Sequence, residues 1–203
     1  MIVEYFVGGA ADKNDFLSKV VGNTGVMNTT RRLRAASKVN ITTFYKGHEE
    51  ENNTFLEIDR KWKNNEISTL NLVGHSWGGQ AVMNLTKKLN DAGIPVTELI
   101  TLDPVSLLPF RPIKNFSHWV NVHQKQSIVD AIASVPIAGN FVGSILSAIS
   151  IPFGGSVNDT IATIGGQLGY QNGATNIVCG LDHADAWGMY VIARQKMDTL
   201  LVK

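Results

Sequence analysis

The sequence has little charge and almost no cysteine. Charged residues make up 17% of its 203 residues, and 18 basic side chains against 17 acidic ones give a net charge of +1. A nucleic-acid-binding domain would carry a marked basic excess, so the composition argues against nucleic acid as a partner. Cys179 is the single cysteine, which excludes an internal disulfide and a metal site built from cysteines alone.

The first residues also lack a targeting pattern. The opening stretch MIVEYFVGG has no basic segment followed by a long apolar run, so we expect no conventional secretory signal and synthesis in a cytoplasm. Export, if it occurs, would then proceed without a cleavable signal peptide. The apolar fraction of 44% supports a sizeable core and rules out intrinsic disorder, and the length suits one domain over residues 1–203.

Short apolar runs alternate with amphipathic segments along the chain. The pattern predicts strands at 2–7, 38–45, 69–73, 96–102 and 119–122, and helices near 15–27, 50–64, 80–91 and 184–200. Alternating strands and helices at this spacing favour an α/β fold, with a mostly parallel sheet covered by helices on both faces.

The motif with the clearest chemistry is Gly74-His75-Ser76-Trp77-Gly78, a G-x-S-x-G sequence between a predicted strand and a predicted helix. Such a turn is sharp, and small flanking residues let the two backbones approach each other. We expect Ser76 at the carboxyl end of the sheet, with its hydroxyl exposed and the helix N-terminus favouring negative charge beside it. Ser76 is therefore the candidate nucleophile.

A serine nucleophile needs a base and an orienting carboxylate. Asp103 ends the next predicted strand and is the candidate acid, while His183, just before the last helix, is the favoured base. Ser, Asp and His then follow in the chain order of a nucleophile-elbow hydrolase. His123 is the second candidate for the base.

The remaining three histidines have other expected places. His75 is expected to pack under the turn, His48 to line the rim of the pocket, and His118 to precede the strand WVNV that His123 follows.

An oxyanion hole needs two backbone N–H groups. Trp77, directly after Ser76, should give one, and Gly9 or Ala10 in the small-residue loop after the first strand should give the other. This Gly-Gly-Ala-Ala loop is not a phosphate-binding fingerprint, so no nucleotide follows from it.

Three segments resemble the α/β-hydrolase superfamily, particularly its lipases and esterases: VGHSWGGQAV at 73–82, LDPV at 102–105 and DHADAW at 182–187. The resemblance implies a Ser76–Asp103–His183 triad that cleaves esters through an acyl-enzyme, with no cofactor and no metal. The acid lies one strand earlier than in many relatives, as in lipases. Val7-Gly8-Gly9 replaces the histidine-glycine pair common in lipase oxyanion loops, and the short chain implies a pruned sheet with little room for a cap domain.

The stretch 131–181 is apolar, with Asp159 as its one charged residue. We expect it to form an insertion or lid over the site, which would favour lipid or phospholipid acyl esters and contact with a membrane surface, although a core helix is the alternative. Residues Arg31, Arg32 and Arg34 could touch anionic lipid or form a solvated surface run. Small type VI secretion lipase effectors look similar, and such an effector would have a cognate inhibitor protein.

Two further functions stay open. A thioesterase or acyltransferase would share the acyl-enzyme and differ in the nucleophile that resolves it. A catalytically inactive hydrolase fold could instead bind a membrane or a protein, with residues 131–181 as the binding segment.

Overall fold

A sheet of six parallel strands organises the chain. The computed structural model describes residues 1–13, 18–37, 40–106, 113–125 and 168–202. The strands are β1 (Ile2–Gly8), β2 (Thr42–Gly47), β3 (Thr69–His75), β4 (Val96–Leu102), β5 (Phe116–Gln124) and β6 (Thr175–Cys179). Their order across the sheet is β2-β1-β3-β4-β5-β6, and every neighbouring pair is parallel.

Helices follow most of the strands. They are α1 (Ser18–Val21), α2 (Val26–Ala36), α3 (Glu51–Lys63), α4 (Trp77–Asp91) and α5 (Ala186–Leu201), and a 3-10 turn over His48–Glu50 leads from β2 into α3. Helices α3 and α4 pack on one face of the sheet, while α2 and α5 pack on the other. The prediction of an α/β fold with both faces covered is confirmed.

Side-chain alternation along the strands builds the two faces of the core. On β1, Val3, Tyr5 and Val7 face the α3–α4 cluster, whereas Phe6 faces the α2–α5 cluster. The central strands β3 and β4 are buried on both sides, and each contributes apolar residues to both clusters.

Several predicted bounds were wrong. The helix expected at 15–27 is replaced by a single turn and by α2, because the chain makes left-handed turns at Gly22 and Gly25 before the helix begins. The basic run of arginines therefore lies on α2. Strand β6 was missed because its five residues are mostly half-exposed at the edge of the sheet and carry no long apolar run.

The crossing of the chain in the middle of the sheet positions the site. After β1 the chain moves to one side to form β2 and then returns to the other side of β1 to form β3. In open parallel sheets, ligands bind outside the carboxyl ends of the strands at such a switch point. The loops after β1 and β3 meet there.

The expected apolar cover falls mainly on residues 131–167, which lie outside the described ranges. The rest of that stretch contains β6, which pairs with β5, and Leu168 N–H donates to the Pro104 carbonyl in the loop after β4 at 2.7 Å. Among the residues that the structure describes, no helix has the length and apolar character needed to span a bilayer.

Candidate active site

Ser76 lies at the turn between β3 and α4 in a strained backbone conformation. Its φ of 56° and ψ of −128° are unusual for a residue with a side chain. The turn is tied to the next strand: Ser76 N–H donates to the Leu102 carbonyl at 3.1 Å, and Val105 N–H donates to the Ser76 carbonyl at 3.0 Å. These two hydrogen bonds help to hold Ser76 in its strained conformation.

Glycines make this sharp turn possible. A Cβ on Gly74 would lie 2.2 Å from the Gly78 carbonyl oxygen, and a Cβ on Gly78 would lie 2.2 Å from that of Val7. Strand β1, strand β3 and the start of α4 therefore pack backbone against backbone, and G-x-S-x-G supplies the small residues that this packing needs.

Ser76 is buried, with 4% of its surface exposed, so the expectation of an exposed hydroxyl was wrong. The cause is the loop after β1, which lies directly against the serine. A Cβ on Gly9 would be 2.6 Å from Ser76 Cβ and 3.1 Å from Ser76 Oγ.

Asp103 and His183 form a buried pair at the same edge of the sheet. His183 Nδ1 donates to Asp103 Oδ2 at 2.6 Å, with Asp103 fully buried and His183 5% exposed. The other carboxylate oxygen, Oδ1, accepts the Gln124 backbone N–H at 3.1 Å. Because Nδ1 carries the hydrogen, the neutral imidazole keeps Nε2 as its basic nitrogen.

Two side chains hold the loop that carries His183, through contacts that the sequence did not predict. Gln124 Nε2 donates to the Leu181 carbonyl at 2.6 Å, and His75 Nε2 donates to the His183 carbonyl at 2.7 Å. The His75 and His183 rings lie 4.7 Å apart between centroids. His183 therefore sits beside the serine turn, since His75 is the residue before Ser76.

His75 packs under the turn, as expected. Burial lowers the pKa of its imidazole well below the ordinary value, and the positive charge of a protonated His183 would lower it further. The Asp103 carboxylate and the hydrogen bond to His183 act in the opposite sense. His75 is consequently neutral beside the His183–Asp103 pair.

The other histidines have different neighbours. His123 Nδ1 donates to the neighbouring Gln124 carbonyl at 2.8 Å, while His118 lies near the start of β5, in register with Glu98. His48 contacts the β1 loop and the Trp77 ring. The geometry places His183, rather than His123, on Asp103.

The candidate oxyanion loop is held from below by Asp12. Its carboxylate accepts the Thr24 hydroxyl, the Tyr45 hydroxyl and the Met27 N–H, and it caps α2 from the loop that follows β1. Burial raises the pKa of this carboxyl, which these hydrogen bonds partly offset. Gly9 reaches Ser76 from this loop, and Ala10 is the next residue.

A cleft of about 290 Å³ opens beside Trp77. It is lined by His48, Glu51, Trp77, Gln80, Ala81 and Asn84. Four of these residues share one face of α4, so the cleft lies between the first turns of α4 and α3. Within the described ranges, no group of three or more His, Cys, Asp and Glu side chains is placed to hold a metal ion.

Comparison of the chain with protein-family models, with curated proteins and with solved structures gave no match.

Proposed function

We propose that the protein is a serine hydrolase of the α/β-hydrolase type that cleaves carboxylic esters through a Ser76–His183–Asp103 triad. One observation carries the proposal: a buried His183–Asp103 hydrogen bond of 2.6 Å lies at the sheet edge where Ser76 occupies a strained turn before a helix. Three separate loops carry the residue types of an acyl-transfer triad at this edge, which supports the proposal.

The proposed reaction uses the groups in the roles that their contacts favour. His183 Nε2 takes the Ser76 proton as Oγ attacks the ester carbonyl, and Asp103 stabilises the imidazolium through Nδ1–H. His183 then gives the proton to the leaving alcohol, which departs and leaves an acyl-enzyme. Water, deprotonated by His183, attacks this ester, and collapse of the second intermediate returns the proton to Ser76 and releases the acid.

The negative charge of each tetrahedral intermediate needs donors beside Ser76. Trp77 N–H lies in the first turn of α4, where the helix dipole favours an anion, and the β1 loop supplies the second donor. The close approach of Gly9 to Ser76 supports this assignment.

The topology supports the hydrolase-type fold. Ser76 follows β3 and the β1 loop faces it across the switch point, while Asp103 follows β4, the next strand of the sheet. The acid directly after the next strand also fits the lipase-like arrangement that the LDPV segment resembles.

For the substrate, we propose lipid or phospholipid acyl esters. The support is the composition of residues 131–181, which hold one charged residue, Asp159. An apolar segment just before the base in the chain favours an acyl chain over a small polar acid.

The test is labelling with a fluorophosphonate probe followed by intact-mass measurement. Wild type should gain one adduct, Ser76→Ala none, and Ser117→Ala, which alters an exposed serine at the start of β5, should label like wild type. Hydrolysis of p-nitrophenyl esters should fall by about 10³ to 10⁶ in Ser76→Ala. Rates that rise with acyl length would favour a lipase, and rates that peak at acetate an esterase.

The same assay tests the base. His183→Ala should abolish labelling and turnover, while His123→Ala should retain them, because the His123 contact is to its neighbour and not to Asp103. Absence of an adduct in wild type, with and without detergent or lipid, would overturn the hydrolase proposal and favour a binding role.

A further inference from the structure

His48 contacts both elements that would bind the oxyanion. Its Nδ1 donates to the Gly9 carbonyl at 3.1 Å, and its ring meets the Trp77 ring edge-on, with centroids 5.3 Å apart and planes at 73°. Gly9 belongs to the loop after β1 and Trp77 to the first turn of α4. A single half-buried side chain from the end of β2 therefore touches both sides of the candidate hole.

The hydrogen bond on Gly9 fixes the orientation of a peptide group. The Gly9 carbonyl accepts from His48 Nδ1 and also, at 3.3 Å, from Asp12 N–H. In a trans peptide the C=O and the following N–H point in opposite directions. Anchoring the Gly9 oxygen toward His48 therefore directs the Ala10 N–H away from His48, within the same peptide plane.

The position of Gly9 relates this peptide to the nucleophile. A Cβ on Gly9 would fall 3.1 Å from Ser76 Oγ, so the Gly9–Ala10 peptide begins at an α-carbon that lies against the serine. The sequence left open whether Gly9 or Ala10 donates, and the anchored carbonyl favours Ala10.

We infer that His48 is a positioning residue for the oxyanion hole: it orients the Gly9–Ala10 peptide so that Ala10 N–H joins Trp77 N–H on the developing negative charge. This role rests on the proposed ester hydrolysis. The proposed action of His48 is exerted through the peptide and includes no proton transfer.

The surrounding contacts fit a fixed orientation of His48. It begins the 3-10 turn after β2, where Gly47 N–H donates to Glu50 Oε2 at 2.8 Å, and Glu50 also pairs with Lys13 at the far end of the β1 loop. The turn and the loop are thus joined twice. The Glu49 carboxylate lies 3.5 Å from His48 Nδ1, farther than the Gly9 carbonyl, which therefore takes the hydrogen bond.

The test compares two substitutions of one residue. His48→Asn places an amide nitrogen close to the position of Nδ1 and keeps a donor, whereas His48→Leu removes it. We expect His48→Leu to lower kcat by about 10- to 100-fold with KM within twofold, because the oxyanion contact is made in the transition state. His48→Asn should recover most of the loss, and His118→Leu, at the opposite end of the sheet, should match wild type.

Two further readouts separate orientation from general destabilisation. The inhibition constant of a trifluoromethyl ketone, which forms an oxyanion on Ser76, should rise in His48→Leu by about the factor lost in kcat. Amide hydrogen exchange of the peptide covering residues 7–13 should quicken in His48→Leu and stay near wild type in His48→Asn, with equal melting temperatures.

Each outcome decides a different claim. Wild-type turnover in His48→Leu, or equal losses in His48→Leu and His48→Asn, would overturn the positioning role and leave the triad untouched. A wild-type protein that neither labels nor hydrolyses esters would overturn the proposed function, and the His48 role would fall with it.

Discussion

His75 and Ser76 are adjacent in the chain but face different parts of the site. Ser76 lies against the β1 loop, while the His75 ring lies under the turn and donates to the backbone of His183. His75 therefore supports the backbone of the proposed base, His183. Because its imidazole is buried and neutral, it adds no positive charge that would oppose formation of the His183 imidazolium.

This arrangement predicts a specific pH dependence of stability. The pKa of His75 is lower in the folded protein than in the unfolded chain. Below about pH 6.5 the unfolded chain therefore binds a proton on His75, while the folded protein keeps this imidazole neutral. The free energy of unfolding should fall as the pH drops through this range. His75→Gln keeps a donor near Nε2 and removes the titration. The free energy of unfolding of His75→Gln minus that of wild type should therefore be roughly 2 kcal/mol larger at pH 5 than at pH 7.5.

Urea unfolding of both proteins at several pH values measures this effect. His118→Gln, a change of a half-buried histidine near the start of β5, serves as the control. Parallel pH profiles for wild type and His75→Gln would contradict the prediction. His75→Leu should be less stable by about 1–3 kcal/mol, since it removes the donor to a buried carbonyl.

Residue-scale predictions from the sequence succeeded or failed for an identifiable reason. The motif and the strand ends were enough to anticipate that Asp103 and His183 would meet. The contacts of His48, His75 and Gln124 could not be anticipated, because each is a hydrogen bond to a backbone carbonyl of a distant loop. Spacing in a sequence carries no signal for such a bond.

At the scale of elements, the approach of α4 to β1 depends on Gly78. A Cβ there would meet the Val7 carbonyl oxygen at 2.2 Å and the Gly8 carbonyl oxygen at 2.8 Å. Both acceptors are backbone, so the strand and the loop that carries Gly9 would have to move.

We therefore expect Gly78→Ala to destabilise the protein by about 1–3 kcal/mol and to lower the proposed esterase activity, although alanine is the better helix former. Gly180→Ala is the matched control, because a Cβ at Gly180 meets nothing within 4 Å. Its free energy of unfolding should stay within about 0.5 kcal/mol of wild type. Chemical denaturation measures both, and equal stability of the two variants would show that the contact at Gly78 relaxes at no cost.

Element prediction worked best where burial is complete. Strands β3 and β4 are almost wholly buried and were predicted to within two residues. The edge strands carried a weaker pattern: β2 begins at Thr42 rather than at residue 38, and β6 was not foreseen. Helix α4 begins at Trp77, three residues before the predicted start, because the two glycines that suggested a loop are needed for close packing.

Across the whole molecule, Glu4 joins elements from both ends of the chain. This fully buried carboxylate of β1 accepts Arg34 Nε from α2 at 3.1 Å and the Tyr190 hydroxyl from α5 at 3.0 Å. The expectation that Arg34 belongs to a solvated or lipid-facing run was wrong, because its side chain is 12% exposed and paired in the interior. Arg32, on the same helix, is exposed.

The Glu4–Arg34 pair predicts that removing the arginine lowers the free energy of unfolding, and that this loss becomes smaller at acid pH. Burial raises the pKa of Glu4, although Arg34 and Tyr190 lower it in part, so the folded state binds a proton on Glu4 more tightly than the unfolded chain does. Arg34→Met removes the compensating charge and should cost about 3–5 kcal/mol at neutral pH, whereas Arg32→Met should cost almost nothing.

The double variant Arg34→Met/Glu4→Gln should recover much of that loss, because it leaves no unpaired charge and keeps an acceptor for the Tyr190 hydroxyl. As the pH falls, Glu4 becomes protonated in the single variant. The difference in free energy of unfolding between the single and the double variant should therefore become smaller. Urea midpoints at pH 7.5, 6 and 5 test this. A difference between the single and double variants that stays constant with pH would show that Glu4 stays charged without Arg34. If Arg34→Met loses no more stability than Arg32→Met, the junction of β1, α2 and α5 depends on apolar packing alone.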